Sequence, residues 1–185
     1  MNTKYILILI GLLLYASSAV AQTRFYDVTR TFHESGFTYQ ADVSGSLVTL
    51  YNRSAGRFTN VRQTFRDGRL ISDDDRRIDD VVVENDIRMR ALARQVVRNG
   101  FSAVERNRLR QGEDLWLILI ICPDTGNVKE VHFQFMRQSG YATIPVTTYR
   151  RIELEIKRQV RFTPTAHGRN MNFIFRGWRM DVSQL

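Results

Sequence analysis

The stretch that follows residue 114 constrains the fold more than any other part of the sequence. Residues 115–122 read Leu-Trp-Leu-Ile-Leu-Ile-Ile-Cys and carry no charge. The run is far too short to cross a bilayer, which takes roughly 20 residues. It predicts a strand that is buried on both faces or central in a sheet. Residues 123–126, Pro-Asp-Thr-Gly, then supply turn chemistry, and residues 128–135 alternate apolar and polar. We therefore expect a β-hairpin here.

A helix and a closing strand follow the hairpin. Pro145 suits the first turn of a helix, and one apolar stripe recurs at helical spacing over Tyr149, Ile152, Ile156 and Val160. Residues 162–164, Phe-Thr-Pro, end that helix. A final strand is predicted over residues 171–180, with Met171, Phe173 and Phe175 on its buried face.

The sequence upstream predicts β-structure and then helices. Residues 22–80 contain short alternating segments separated by Gly-containing turns, which is typical of an antiparallel meander. Asp67-Gly68, between residues 61–65 and 70–71, predicts one of its hairpins. Residues 85–111 change to helical spacing, with a Ser-x-x-Glu capping box at Ser102. We expect an α+β fold: an N-terminal antiparallel β-meander, two middle helices and a C-terminal β-hairpin–helix–β unit over residues 115–182.

The N-terminus indicates export. Residues 1–21 combine a positive start at Lys4, a short apolar core and small residues at Ala19 and Ala21, which are the three parts of a signal peptide. Residues 22–185 then form a single mature domain with no later membrane span. We expect a periplasmic or secreted protein.

Charge gives a second functional hypothesis. The chain has 27 Lys and Arg against 19 Asp and Glu, a formal charge of +8, and all but three of the cations are arginine. Arginine forks suit carboxylates and phosphates. Outside the cytoplasm this balance favours anionic envelope glycan or lipopolysaccharide as a partner, and not nucleic acid. The competing interpretation is a surface of intramolecular ion pairs, because the arginines are spread along the whole chain.

No pattern predicts catalysis, a metal or a cofactor. Asp124-Thr125-Gly126 follows an apolar strand, as in aspartic proteases, but one copy would need a symmetric dimer to pair two carboxylates. His33, His132 and His167 are isolated and give no zinc spacing. Cys122 is the only cysteine, so no internal disulfide forms, and its position predicts a buried thiol that acts as a small hydrophobe. We expect a protein that is not an enzyme, with the hydrolase as a remote alternative.

The last third resembles the C-terminal domain of TonB, the periplasmic energy-transducing protein. The resemblance spans residues 115–182 and rests on Asp124, Gly126, Val128, the Phe162-x-Pro164 element and Gly168. It departs at Val160, close to where TonB domains carry tryptophan, and the membrane anchor and proline-rich arm of TonB are missing. The whole chain is also similar in style to small exported proteins of Bacteroides-type bacteria.

The resemblance implies a binding module. TonB domains engage partners by adding an extended peptide to a sheet edge. If the closing strand is such an edge, its face away from the core would carry the contacts, with Trp178 as an anchor or as a residue packed under the N-terminal strands. The candidate binding residues are Asn172, Ile174, Arg176, Trp178 and Arg179. The expected partner is an envelope protein or peptide.

Overall fold

The computed structural model describes residues 23–55, 58, 61–71 and 82–181. The predicted signal sequence, residues 1–21, lies outside the described residues. No helix in the described part is long and apolar enough to cross a membrane.

The elements follow the predicted order. The strands are β1 (Arg30–Glu34), β2 (Phe37–Ser44), β3 (Leu47–Asn52), β4 (Leu115–Ile121), β5 (Val128–Met136) and β6 (Ile174–Met180). The helices are α1 (Asp86–Gly100), α2 (Ala103–Arg106), α3 (Val146–Gln159) and α4 (Ala166–Arg169), and a 3₁₀ turn spans Gly140–Thr143.

The described strands form one antiparallel sheet in the order β1-β2-β3-β5-β4-β6. The N-terminal meander joins the C-terminal hairpin through β3 and β5, where Leu50 faces Phe133. The predicted α+β class is confirmed: an open six-stranded sheet with two main helices among the residues described. The outer strands of this sheet are β1 and β6.

Helices α1 and α3 cover one face of the sheet. The predicted stripe of α3 is fully buried, and Phe133 and Phe135 of β5 pack their rings on Tyr149 at centroid distances of 5.0 and 5.6 Å. The alternation of β5 is confirmed, because Val131, Phe133 and Phe135 all lie in the core. The opposite face of the sheet carries no described helix.

Two middle elements differ from the prediction in length. The capping box at Ser102 forms, since the Ser102 hydroxyl accepts from Glu105 N and the Glu105 carboxylate accepts from Ser102 N, but α2 ends at Arg106 and not near residue 111. The hairpin expected around Asp67-Gly68 is reduced to one bridge between Thr64 and Leu70. Both segments make contacts with other elements of the fold. In the first, the hydroxyl of Thr148 in α3 donates a 2.6 Å hydrogen bond to Glu105. In the second, Phe65 pairs with Met171.

Candidate binding surface

The face of the sheet opposite α1 and α3, called the open face here, exposes large apolar side chains. Trp116 of β4 and Phe175 of β6 are each 43% exposed. Between them, Ile118 is half-buried and lies opposite Gly177 of β6. Apolar side chains on a solvated sheet face are typical of an interaction surface when they adjoin one another.

The predicted outward face of the closing strand is wrong, because buried and exposed positions alternate in the opposite order in β6. Ile174 and Trp178 are buried, and Trp178 packs its ring on Phe162 at 5.7 Å, so it lies in the core and not under the N-terminal strands. Arg176 is also buried and its Nε donates to Asp86 of α1 at 3.0 Å. The positions that face outward are Phe175, Gly177 and Arg179.

A bend before β6 explains the reversed phase. Residues 172 and 173 are bent and not in strand conformation, so Met171 enters the core while Phe173 lies outside the core cluster. Phe173 is buried instead by Phe58, whose ring lies 5.2 Å away. The sequence offers two apolar phases in this segment, and within β6 the phase that contains Phe175 is the exposed one.

Two of the predicted residues lie at the surface. Arg179 is exposed, and its Nε lies 2.6 Å from Asp114 in an ion pair. Asn172 is half-buried, where its Oδ1 accepts from Thr64 N and Phe173 N and its Nδ2 donates to the carbonyl of Arg62. Asn172 therefore fastens the preceding loop to the start of β6. The predicted residues do not form one cluster.

The outer edge of β6 carries backbone groups that point away from its neighbour β4. The N–H of Cys122 donates to Asn127 on the β5 side, so even-numbered residues of β4 pair with β5 and odd-numbered ones pair with β6. In the register of β4 and β6, odd-numbered β4 residues face even-numbered β6 residues. The N–H and C=O groups of three β6 residues consequently point away from the sheet: Phe175, Gly177 and Arg179.

Those outward groups are largely unused. The carbonyl of Phe175 accepts a 3.3 Å hydrogen bond from Arg176 Nη1. Neither Gly177 nor Arg179 has an outward backbone hydrogen bond to any other described residue. Such a row of free donors and acceptors is a template for pairing with another chain.

A cleft of about 540 Å³ lies at the end of the open face. Phe58 and Phe173 form apolar walls, and Cys122 and Lys129 contribute polar lining. Cys122 is half-buried, so the prediction of a buried thiol is wrong. Burial raises the pKa of the thiol, but hydrogen bonds from Thr125 and the turn backbone lower it more, and the net pKa lies below the usual value.

The carboxylates beside this cleft are already engaged. Asp124 is an ion-pair partner of Arg66, and its side chain is 64% exposed at the tip of the hairpin. Glu130 is buried, accepts from Phe58 N at 2.9 Å and lies 3.1 Å from His132 Nε2. Within the described ranges, no three His, Cys, Asp or Glu side chains are grouped closely enough to hold a metal ion.

A buried carboxylate fastens α3 to the meander. Glu153 is fully buried and accepts hydrogen bonds from Tyr39 Oη, from Asn52 Nδ2 at 3.3 Å, from Arg150 at 2.8 Å and from Lys157 at 2.5 Å. Burial acts to raise the pKa of Glu153, but the hydrogen bonds from Lys157 and Tyr39 outweigh it and hold the pKa below its usual range.

Helix α1 carries a row of cations on its solvent side. Arg90, Arg94 and Arg98 recur every fourth residue, and such residues are neighbours on one helix face. We call this row the basic face of α1. Arg90 and Arg98 are exposed and Arg94 is half-buried. None of the three forms an ion pair with another described residue.

The comparisons with known proteins identify the family. The family model described as "Domain of unknown function (DUF5043)" matches residues 22–178. The chain belongs to the DUF5043 family. A crystal structure of a DUF5043 family protein from Bacteroides uniformis is similar, with a TM-score of 0.77 and 32% sequence identity over 86% of this chain and 88% of that chain. No curated protein matches.

Sequence reasoning missed the residues that give this DUF5043 protein its open face. Trp116 and Ile118 sit inside an unbroken apolar run, which hides the fact that only one face of β4 contacts the helices. Gly177 was the sequence signal that could have drawn attention to this face, because an isolated glycine inside a strand pattern marks a bulge or a close approach of another group.

Proposed function

We propose that this DUF5043 protein is a non-catalytic periplasmic or secreted module that binds an extended protein or peptide segment as an added strand. The observation that carries the proposal is the outer edge of β6, where the backbone groups of Gly177 and Arg179 have no partner among the described residues. An added strand gains affinity from main-chain hydrogen bonds and specificity from alternate side chains.

The side chains beside the edge support the same site. Phe175 offers exposed apolar surface next to the free backbone groups, so an added segment would bury it, and the exposed Trp116 lies one strand further in, opposite Arg179. Interfaces of this kind depend on a few aromatic and arginine anchors. The sequence resemblance to the TonB domain, in which partners are bound at a sheet edge, points in the same direction.

The test begins with a displayed library of random linear peptides selected on the folded protein. A selected peptide is then synthesised with its alternate backbone amides N-methylated, in each of the two phases. Strand addition predicts that one phase of methylation abolishes binding and that the other has little effect, because only alternate amides of an added strand face its neighbour.

A matched pair of protein variants isolates the edge backbone. Arg179→Ala and Arg179→Pro both remove the ion pair with Asp114, but only proline also removes the outward N–H. The proposal predicts much weaker peptide binding for Arg179→Pro than for Arg179→Ala, with both variants folded by circular dichroism. Equal binding by the two variants would count against strand addition.

The basic face of α1 favours a second candidate, an anionic-glycan or lipopolysaccharide binder. Like charges four residues apart cost a helix a few tenths of a kcal/mol per pair, and the three arginines have no described counter-charge. Purified lipopolysaccharide is the probe, and Arg90→Gln, Arg94→Gln and Arg98→Gln are combined. This candidate predicts binding that falls steeply with salt and is lost in the triple variant, whereas peptide binding at β6 depends only weakly on salt.

A further inference from the structure

We infer that Gly177 forms a recess in the edge of β6 that selects a large apolar side chain, preferably aromatic, of the bound segment. The inference rests on the proposed strand addition and names the chemistry of the partner. It starts from a local irregularity: Gly177 is the one position in the outward-facing row of β6 that has no side chain.

The recess has three neighbours on the open face. Ile118 of β4 lies beside it, directly opposite Gly177 in the register, and is half-buried. Phe175, opposite Ile120, stands on one side. Arg179, opposite Trp116, stands on the other. The gap is therefore flanked by apolar Ile118 on the neighbouring strand and by the Phe175 ring along β6, with the Trp116 ring at one diagonal.

The described fold does not require glycine at this position. A Cβ placed on Gly177 would meet only the Phe175 ring, at 3.4 and 3.6 Å, which is ordinary contact distance. The backbone of Gly177 is outside the left-handed region that favours glycine. Glycine inside a strand weakens that strand. No contact among the described residues requires glycine at position 177, so its presence lowers stability with no gain in packing.

An added strand would place one side chain over this gap. The partner residue opposite Gly177 points to the same face of the sheet, with its Cβ about 5 Å from the glycine. A large side chain at that position can lean across Gly177 onto Ile118, which is the way aromatic residues compensate for glycine in a neighbouring strand. A small side chain at that position would leave Ile118 exposed, and a charged one would lose its hydration.

The experiment selects random linear displayed peptides on the wild type, on Gly177→Ala and on Gly177→Val. The two substitutions both remove the glycine, but only valine fills the recess. Wild-type selection should enrich peptides with one fixed Phe, Tyr, Trp or Leu. Those peptides should bind Gly177→Val about tenfold or more weakly and Gly177→Ala with an intermediate loss, while neither variant melts at a lower temperature than the wild type.

The outcomes separate this inference from the proposed function. Selected peptides that lack a fixed large residue, or that bind Gly177→Val as well as the wild type, overturn the recess while strand addition stands if N-methylation still blocks binding. Selection of no peptide overturns both. A concentration-dependent wild-type dimer that Gly177→Val dissolves also overturns the inference, because the occupant would then be a second copy of this chain.

Discussion

Replacement of Glu153 by glutamine tests how the helical layer is held to the sheet. The carboxylate has no exposed surface and receives hydrogen bonds from the Tyr39 hydroxyl, the Asn52 amide and two cations. Glutamine keeps the size of the side chain but removes the charge, and its amide nitrogen cannot accept. At least one donor, and the attraction of both cations, is lost.

The magnitude follows from the exposure of the partners. Breaking a fully buried ion pair costs about 3–5 kcal/mol because a charge is left unpaired inside. Arg150 and Lys157 retain 25% and 22% exposure, so each can turn toward water and recover part of that cost. We expect Glu153→Gln to lower the free energy of unfolding by about 2–3 kcal/mol at neutral pH, which is mainly the loss of charged hydrogen bonds.

The pH dependence has a definite sign. The folded state holds the pKa of Glu153 below its usual range, so the ionised carboxylate stabilises the fold above the pKa it has in the unfolded chain. That contribution is lost as the pH falls through the depressed folded pKa. The gap in unfolding free energy between wild type and Glu153→Gln should therefore narrow from neutral pH to strongly acidic pH.

Urea denaturation followed by circular dichroism at several pH values measures this gap. Glu155→Gln is the matched control, because Glu155 is on the same helix but pairs with Arg158 at the surface. The control should leave the free energy of unfolding nearly unchanged, because an ion pair at the surface contributes little to stability. A Glu153→Gln variant as stable as the control, or a gap that widens in acid, would refute this view of the network.

Two further predictions concern the hairpin turn. Gly126→Ala should destabilise the fold by at least about 2 kcal/mol, since its φ is 70° and a Cβ would lie 1.9 Å from the Phe162 carbonyl oxygen. Gly112→Ala, with positive φ and nothing within 4 Å, should cost only about 1 kcal/mol by thermal melting, and equal losses would contradict the close approach. Cys122 should react with iodoacetamide at neutral pH faster than an unperturbed thiol, and Thr125→Val should slow it several-fold; an unchanged rate in that variant would remove Thr125 as the cause.

The order of elements was predictable because each signal is local. The unbroken run of β4, the Ser102 capping box and the apolar stripe of α3 specify their own conformations within a few residues. The end of α3, just before Phe162-x-Pro164, is also specified by local sequence. Phe162 packs against the sheet, on Trp178.

The face of β6 could not be predicted because it depends on contacts distant in sequence. A bend at residues 172–173, held by the loop that contains Thr64, sets the phase of the strand. Arg176 is buried because Asp86, far away in the chain, supplies its counter-charge. The alternation of residues in the sequence contains neither fact, so it favoured the face with Phe175 as the buried one.

Amide hydrogen exchange of β6, with and without a selected peptide, tests the central claim most directly. Strand addition predicts that the outward amides of Gly177 and Arg179 exchange at least about tenfold more slowly in the complex, because each gains a hydrogen bond from the added segment. Unchanged exchange at both amides, with protection confined to α1 or to the meander, would contradict the assignment of this edge as the binding site.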